Sequence, residues 1–179
     1  MCLINDTVCS PTVWYISTVE IAAVVVSVFA LGVSGTISIR ALKISRHQNE
    51  TRILIDLFTE HRSPHLAEAR VFVHEQLRHF NPAQGFEAIP PDKRNMVRDL
   101  AWFYDNLGVL VHHDVVDLAP ISGYLGGSVL DIWPKMKPFV LAEREKRRIA
   151  GTTDPTRWQA YFEMLHDRIS KHPPEQARS

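Results

Sequence analysis

The chain has 179 residues, 45% of them hydrophobic and 22% charged, which is the make-up of a globular rather than a disordered polypeptide. Lys plus Arg and Asp plus Glu each number 20, and every basic residue lies at Arg40 or later. From Arg40 onward the bases are nearly balanced by acids, which argues against a nucleic-acid partner, since such a partner calls for a distinctly basic face.

In chain order, residues 1–12, MCLINDTVCSPT, contain no Lys or Arg, and their Cys2 and Cys9 could pair or remain free thiols. From Ile21 to Ile39 run 19 residues without a charge. As a helix they would cross about 30 Å of hydrocarbon. Trp14 and Tyr15 precede the run, where an interfacial aromatic belt would lie, and Arg40, Lys43, Arg46 and Arg52 follow it. The positive-inside rule then puts the N-terminus outside and everything after Arg40 in the cytoplasm. A cleaved signal would want a basic start, and Asp6 stands there instead. The apolar run also continues past the one small-residue cleavage candidate, Ala30-Leu31-Gly32. Counting back about 20 residues from Ile39 reaches Glu20, so Glu20 marks the outer rim of the span rather than its centre. Ala23, Ser27, Ala30, Ser34 and Ser38 form a small-residue stripe along which two such helices could pair.

No Pro or Gly interrupts residues 36–62, so the spanning helix is expected to continue into the cytoplasm. Ser63-Pro64 reads as a break and restart, with Ser63 as N-cap and Pro64 at the first helical position. A helix over about 64–80 would carry Leu66, Ala69, Val73, Leu77 and Phe80 on one stripe. "NPAQGFEAIPP", 81–91, reads as a loop. The next helix opens at Pro90-Pro91-Asp92 and keeps a 3.6-residue period through Met96, Leu100, Tyr104, Leu107 and Val111. A shorter helix over 121–133 is expected to end at Pro134 and Pro138. A separate helix over 136–150 then stops at Gly151, and a last one covers about 155–171. Trp102, Trp133 and Trp158 read as core anchors. No strand pattern competes, so the expected fold is all-α. One N-terminal transmembrane helix (13–39, after an extracytoplasmic tail, 1–12) continues as a juxtamembrane helix (40–62) into an antiparallel cytoplasmic bundle (63–172), with 173–179 frayed.

Nine histidines raise the question of a metal. "HEQLRH" fails as a zinc motif, because His74 and His79 are five apart and would point about 140° apart on a helix. His112, His113 and Asp114 form the better candidate, since adjacent His-Asp pairs ligate metals in some helical hydrolases. The competing reading is a polar helix end, with the histidines near the last carbonyls and Asp114 capping the next turn. The glycine-rich "SGYLGGS", 122–128, lacks the Lys-Ser/Thr of a phosphate-binding loop and reads as close helix packing or a loosened helix start. The cluster Lys135, Lys137, Arg144, Lys146, Arg147 and Arg148 suits a helix C-terminus or anionic headgroups. No cofactor is expected.

The "DLAWFYDNLGVLV" helix at 99–111, Trp133 in "DIWPKMKP" and Arg144 in "LAERE" together resemble an uncharacterised bacterial family known as a domain of unknown function. That family shows an aromatic-rich helix running Phe/Tyr, acid, any residue, Ile/Leu, Gly, followed by a Trp and an Arg. Asp105 stands where Glu is more frequent. The resemblance covers about residues 15–170 and implies an inner-membrane protein with a cytoplasmic helical domain, and it supplies no catalytic residues. The leading functional expectation is therefore a non-catalytic interaction or regulatory module at the cytoplasmic face. Its expected partners are the bilayer, an unidentified protein and a second copy through the span. The alternative is a membrane-tethered metal hydrolase using His112, His113 and Asp114.

Overall fold

The computed structural model describes the backbone of residues 12–173 and, within the first helix, the side chains of Ile21, Ala23, residues 26–35 and those from 48 onward. The tail before Thr12, with Cys2 and Cys9, and the terminal residues 174–179 lie outside the described residues. Among the described residues five α-helices follow one another: α1 (Thr12–His61), α2 (Pro64–Glu75), α3 (Pro91–His112), α4 (Leu118–Ile149) and α5 (Ala160–Lys171). Tight 3-10 turns occupy Leu77–His79, Pro82–Ala88 and Pro155–Arg157. No strand occurs among the described residues, as the all-α reading expected. The chain divides into two units, one through Asn49 and one from Glu50 onward. Among the described residues no helix is long and apolar enough to cross a membrane. In the uncharged stretch of α1 the described side chains run unbroken only from 26 to 35.

In the second unit the periodicity of α3 does most of the building. Leu100, Tyr104 and Leu107 are fully buried, and α3 packs against α2 on one side and α5 on the other. From α5 come Phe162, Leu165 and Ile169, and from α4 Leu125, Val129, Ile132, Trp133 and Met136, all within the same core. Ser63 accepts from the Leu66 N–H at 3.4 Å with Pro64 opening the helix, so the restart between α1 and α2 occurs where local chemistry placed it.

Three expectations are corrected. The separate helices 121–133 and 136–150 are one, because α4 runs through both Pro134 and Pro138. Each internal proline costs about 3 kcal/mol. Val129, Ile132, Trp133, Met136, Phe139 and Val140 are buried on both sides of the prolines, and each such side chain contributes about 1.5–3 kcal/mol. Packing therefore outweighs propensity. The second helix stops at Glu75 rather than 80, and Phe80 reaches the core only partly, stacking on Phe72 at 5.9 Å. The last helix starts at Ala160 rather than 155, because the chain first passes through a 3-10 turn and then Gln159 in the left-handed region (φ 56°).

Candidate functional site

The residues that carry the motif converge on the start of α5. Asp105, Gly108, Trp133 and Arg144 come from two helices, yet all four meet the segment 158–163. Ala101, Asp105 and Gly108 share one face of α3, at i, i+4 and i+7. That face is low in bulk, so the backbone of α5 comes close. A Cβ on Gly108 would run into the carbonyl of Tyr161.

Asp105 then supplies what α5 lacks. The first N–H groups of a helix have no partner within it. Gln159, at the N-cap position, provides no side-chain bond of its own. The Phe162 N–H instead donates to Asp105 Oδ1 at 3.0 Å, in a buried setting. Burial raises the Asp105 carboxyl above its ordinary pKa, while the N–H groups of Phe162 and Tyr161 and the charge of Arg144 work in the opposite direction.

Arg144 closes the same junction from α4. Its Nε donates to the Trp158 carbonyl at 2.8 Å, and one Nη meets Glu163 at 2.7 Å. Burial raises the Glu163 pKa, but the hydrogen bonds and charges of Arg144 and Lys137 outweigh it and bring the net value down. The aromatic members fill the space beneath. Phe162 stacks on Tyr104 with centroids 4.8 Å apart and meets Trp133 edge-on at 4.8 Å.

Two further polar devices complete the frame. Glu143 accepts from the Phe86 N–H at 3.0 Å, and Lys146 donates to the Gln84 carbonyl at 2.8 Å. Together they fasten the 3-10 segment that turns through Gly85 (φ 59°). On the opposite side, His61 Nε2 lies 3.2 Å from the Tyr104 hydroxyl, which is 2.5 Å from Ser128 Oγ. Burial, with a contribution from Arg70, lowers His61 to about 4, and burial raises Tyr104 to about 12. Arg70 also donates to the His61 carbonyl at 2.6 Å, so the end of α1 is tied to α2.

The metal candidate does not assemble. His112 ends α3, His113 follows it, and Asp114 turns the chain at φ 52°, all three exposed. Among the described residues no group of three His, Cys, Asp or Glu could hold a metal ion. The polar-end reading holds for the histidines, since His112 is the last residue of α3 and His113 its C-cap, and the Val111 carbonyl is bonded by Arg168 at 3.1 Å. Asp114 does not cap the next helix, whose N-cap position is Asp117. His74 and His79 lie on different elements, with His74 3.0 Å from Asp131.

The glycine-rich stretch packs helices through its serines, with Ser122 donating to the His172 carbonyl at 2.9 Å and Ser128 contacting Tyr104. Most of the basic cluster is paired with acids. Lys135 pairs with Asp131, Lys137 and Arg144 with Glu163, Lys146 with Glu87 and Glu143, and Arg148 with Glu145. Trp133 is the core anchor expected of it and Trp158 is partly buried, but Trp102 is 41% exposed. Its position, one residue past buried Ala101, turns it toward solvent.

Of the expected membrane and helix-pairing residues, Ala23, Ser27, Ala30 and Ser34 are exposed on α1, and Ser27 bonds back to the Ala23 carbonyl at 2.8 Å. The side chains of Trp14, Tyr15, Glu20, Ser38, Arg40 and Lys43 lie outside the described residues.

A family model for the domain of unknown function DUF4760 matches residues 17–169. The chain belongs to that family. No curated protein and no solved structure matches it.

Proposed function

We propose that the chain is a single-pass protein of the plasma (inner) membrane, N-terminus outside, whose helical module serves as a non-catalytic interaction or regulatory domain at the cytoplasmic face. The observation that carries this reading is the apolar part of α1. Val26, Val28, Phe29 and Leu31 are 63–74% exposed and point in different directions around the helix. A helix apolar on all sides needs surroundings other than water. The uncharged run from Ile21 to Ile39, with Trp14 and Tyr15 before it and Arg40 and Lys43 after it, supports a bilayer as those surroundings. The stripe of Ala23, Ser27, Ala30, Ser34 and Ser38 is the surface proposed for pairing with a second copy.

The non-catalytic half of the proposal rests on how the polar motif residues are employed. Asp105 binds the backbone of the first turn of α5, Glu143 and Arg144 bind backbone groups of connecting segments, and Glu163 is taken up by Arg144 and Lys137. A partner protein is the expected ligand of such a module.

Single-cysteine labelling tests the topology. In a chain with Cys2 and Cys9 replaced by Ser, Thr7→Cys should react with a membrane-impermeant maleimide in intact cells, whereas Ser170→Cys should react only after lysis. The protein should also stay in the membrane pellet after alkaline carbonate washing. Release into the supernatant, or labelling of Ser170→Cys in intact cells, would overturn the reading.

A further inference from the structure

Beside the α5 junction a cavity of about 460 Å³ opens between α3, the end of α4 and the segment 152–161. That volume is within the range of small-molecule sites, about 300–1,000 Å³. Its aromatic wall is formed by Trp102 and Trp158, which meet edge-on at 5.2 Å, together with Tyr161. The Arg147 guanidinium lies 4.0 Å from the centre of the Trp158 ring.

The hydrogen-bonding inventory of this cavity is lopsided. Of the cations on α4, Lys135, Lys137, Arg144, Lys146 and Arg148 each have a carboxylate partner, and Arg147, which lines the cavity, has none among the described residues. Arg157 stands exposed on the rim, also without an ion pair among the described residues. Two acids also line the cavity, and each holds a hydrogen bond within the protein, Asp105 with the Phe162 N–H and Asp154 with the Thr156 hydroxyl at 2.6 Å.

A guanidinium has donors only and is satisfied by acceptors. A carboxylate suits a guanidinium best, because it can accept charge-assisted and paired bonds. The cavity is larger than a bare inorganic anion needs, and Trp102, Trp158 and Tyr161 give it an aromatic wall. From these observations we infer that the cavity is a binding site for a small organic acid with a flat apolar body. The carboxylate is met by the guanidinium groups of Arg147 and Arg157, and the body lies against Trp102 and Tyr161. This goes beyond the membrane-tethered module of the preceding section and does not depend on the anchor. It gives the module a chemical input.

Equilibrium dialysis of the purified full chain against benzoate, with benzamide and acetate as comparisons, tests it. Benzoate should bind saturably, one per chain, more tightly than either comparison. Arg147→Gln and Arg157→Gln should each weaken binding about tenfold, equivalent to about 1.4 kcal/mol. Arg148→Gln, whose native side chain pairs with Glu145, should leave binding unchanged. Arg157 is exposed, so its variant reads the site even if Arg147→Gln fails to fold. Absence of saturable uptake up to about 10 mM, equal uptake of benzamide, or binding unaffected by both substitutions would overturn the assignment. Acetate binding as tightly as benzoate would overturn the flat-bodied ligand.

Discussion

Asp105 on α3 caps α5 by accepting from the backbone N–H of Phe162 at 3.0 Å, across 57 residues of chain. The bond is non-local because Gln159, where an ordinary capping side chain would sit, occupies the left-handed region and makes no cap of its own. An acid on the buried face of α3 therefore serves the backbone of another helix. The same holds for Glu143 toward Phe86 and for Arg144 toward Trp158. The distinguishing residues of the chain are fasteners.

Glycine substitutions separate packing from propensity. Both Gly108 and Gly123 lie inside α-helices, where Ala is ordinarily better by about 1 kcal/mol. Gly123 has open space where a Cβ would go, and Gly108 has the Tyr161 backbone. Gly123→Ala should stabilise the fold by about 0.5–1 kcal/mol, and Gly108→Ala should destabilise it by about 2–3 kcal/mol. Paired denaturant titrations check this. Equal effects of the two would mean that α3 and α5 are not in close contact at Gly108.

The His61 imidazole is lowered from 6.5 to about 4, first by burial and then by Arg70. The unfolded chain thus binds the proton more readily than the folded one, so stability falls as pH drops from 6.5 toward 4. The ring is only half-buried, so screening reduces the effect to about 1 kcal/mol. His61→Gln should remove that part of the slope in melting temperature against pH. A variant with the same acid sensitivity as the parent would place the ring in water.

Asp105 has the opposite sign. Its folded pKa is raised above 3.8, chiefly by burial, so the folded state holds the proton more tightly and stability declines as pH rises through the interval above 3.8. Asp105→Asn keeps a carbonyl acceptor for the Phe162 N–H and carries no charge. Its stability relative to the parent should therefore improve as pH climbs through that interval. A pH-independent difference between the two proteins would contradict the raised pKa.

Much of this fold was legible in the sequence because it is written locally. The stripe of Leu100, Tyr104 and Leu107 has the helical period, and Ser63-Pro64 is a start signal that needs no distant partner. The continuity of α4 was not legible. Pro134 and Pro138 are strong local breakers, and the buried side chains that override them owe their burial to other helices. The role of Asp105 was equally out of reach, since its partner lies at the start of α5. One signal did exist, the run of Ala101, Asp105 and Gly108 along a single face of α3. Small residues around a lone acid mark a place where backbone approaches closely. The metal candidate failed for a comparable reason, because His112, His113 and Asp114 are adjacent in sequence while the fold brings no further ligand to them among the described residues.

The measurement that bears most directly on the fastening of α5 is amide hydrogen exchange over residues 158–165 in the full chain. In Asp105→Ala the Tyr161 and Phe162 amides should exchange much faster than in the parent, while Leu125 and Val129 in α4 stay protected. The loss should amount to about 1–3 kcal/mol, the cost of leaving a buried donor unmet. Unchanged protection at Phe162, with parental stability, would contradict the account and return Asp105 to the list of residues free for chemistry.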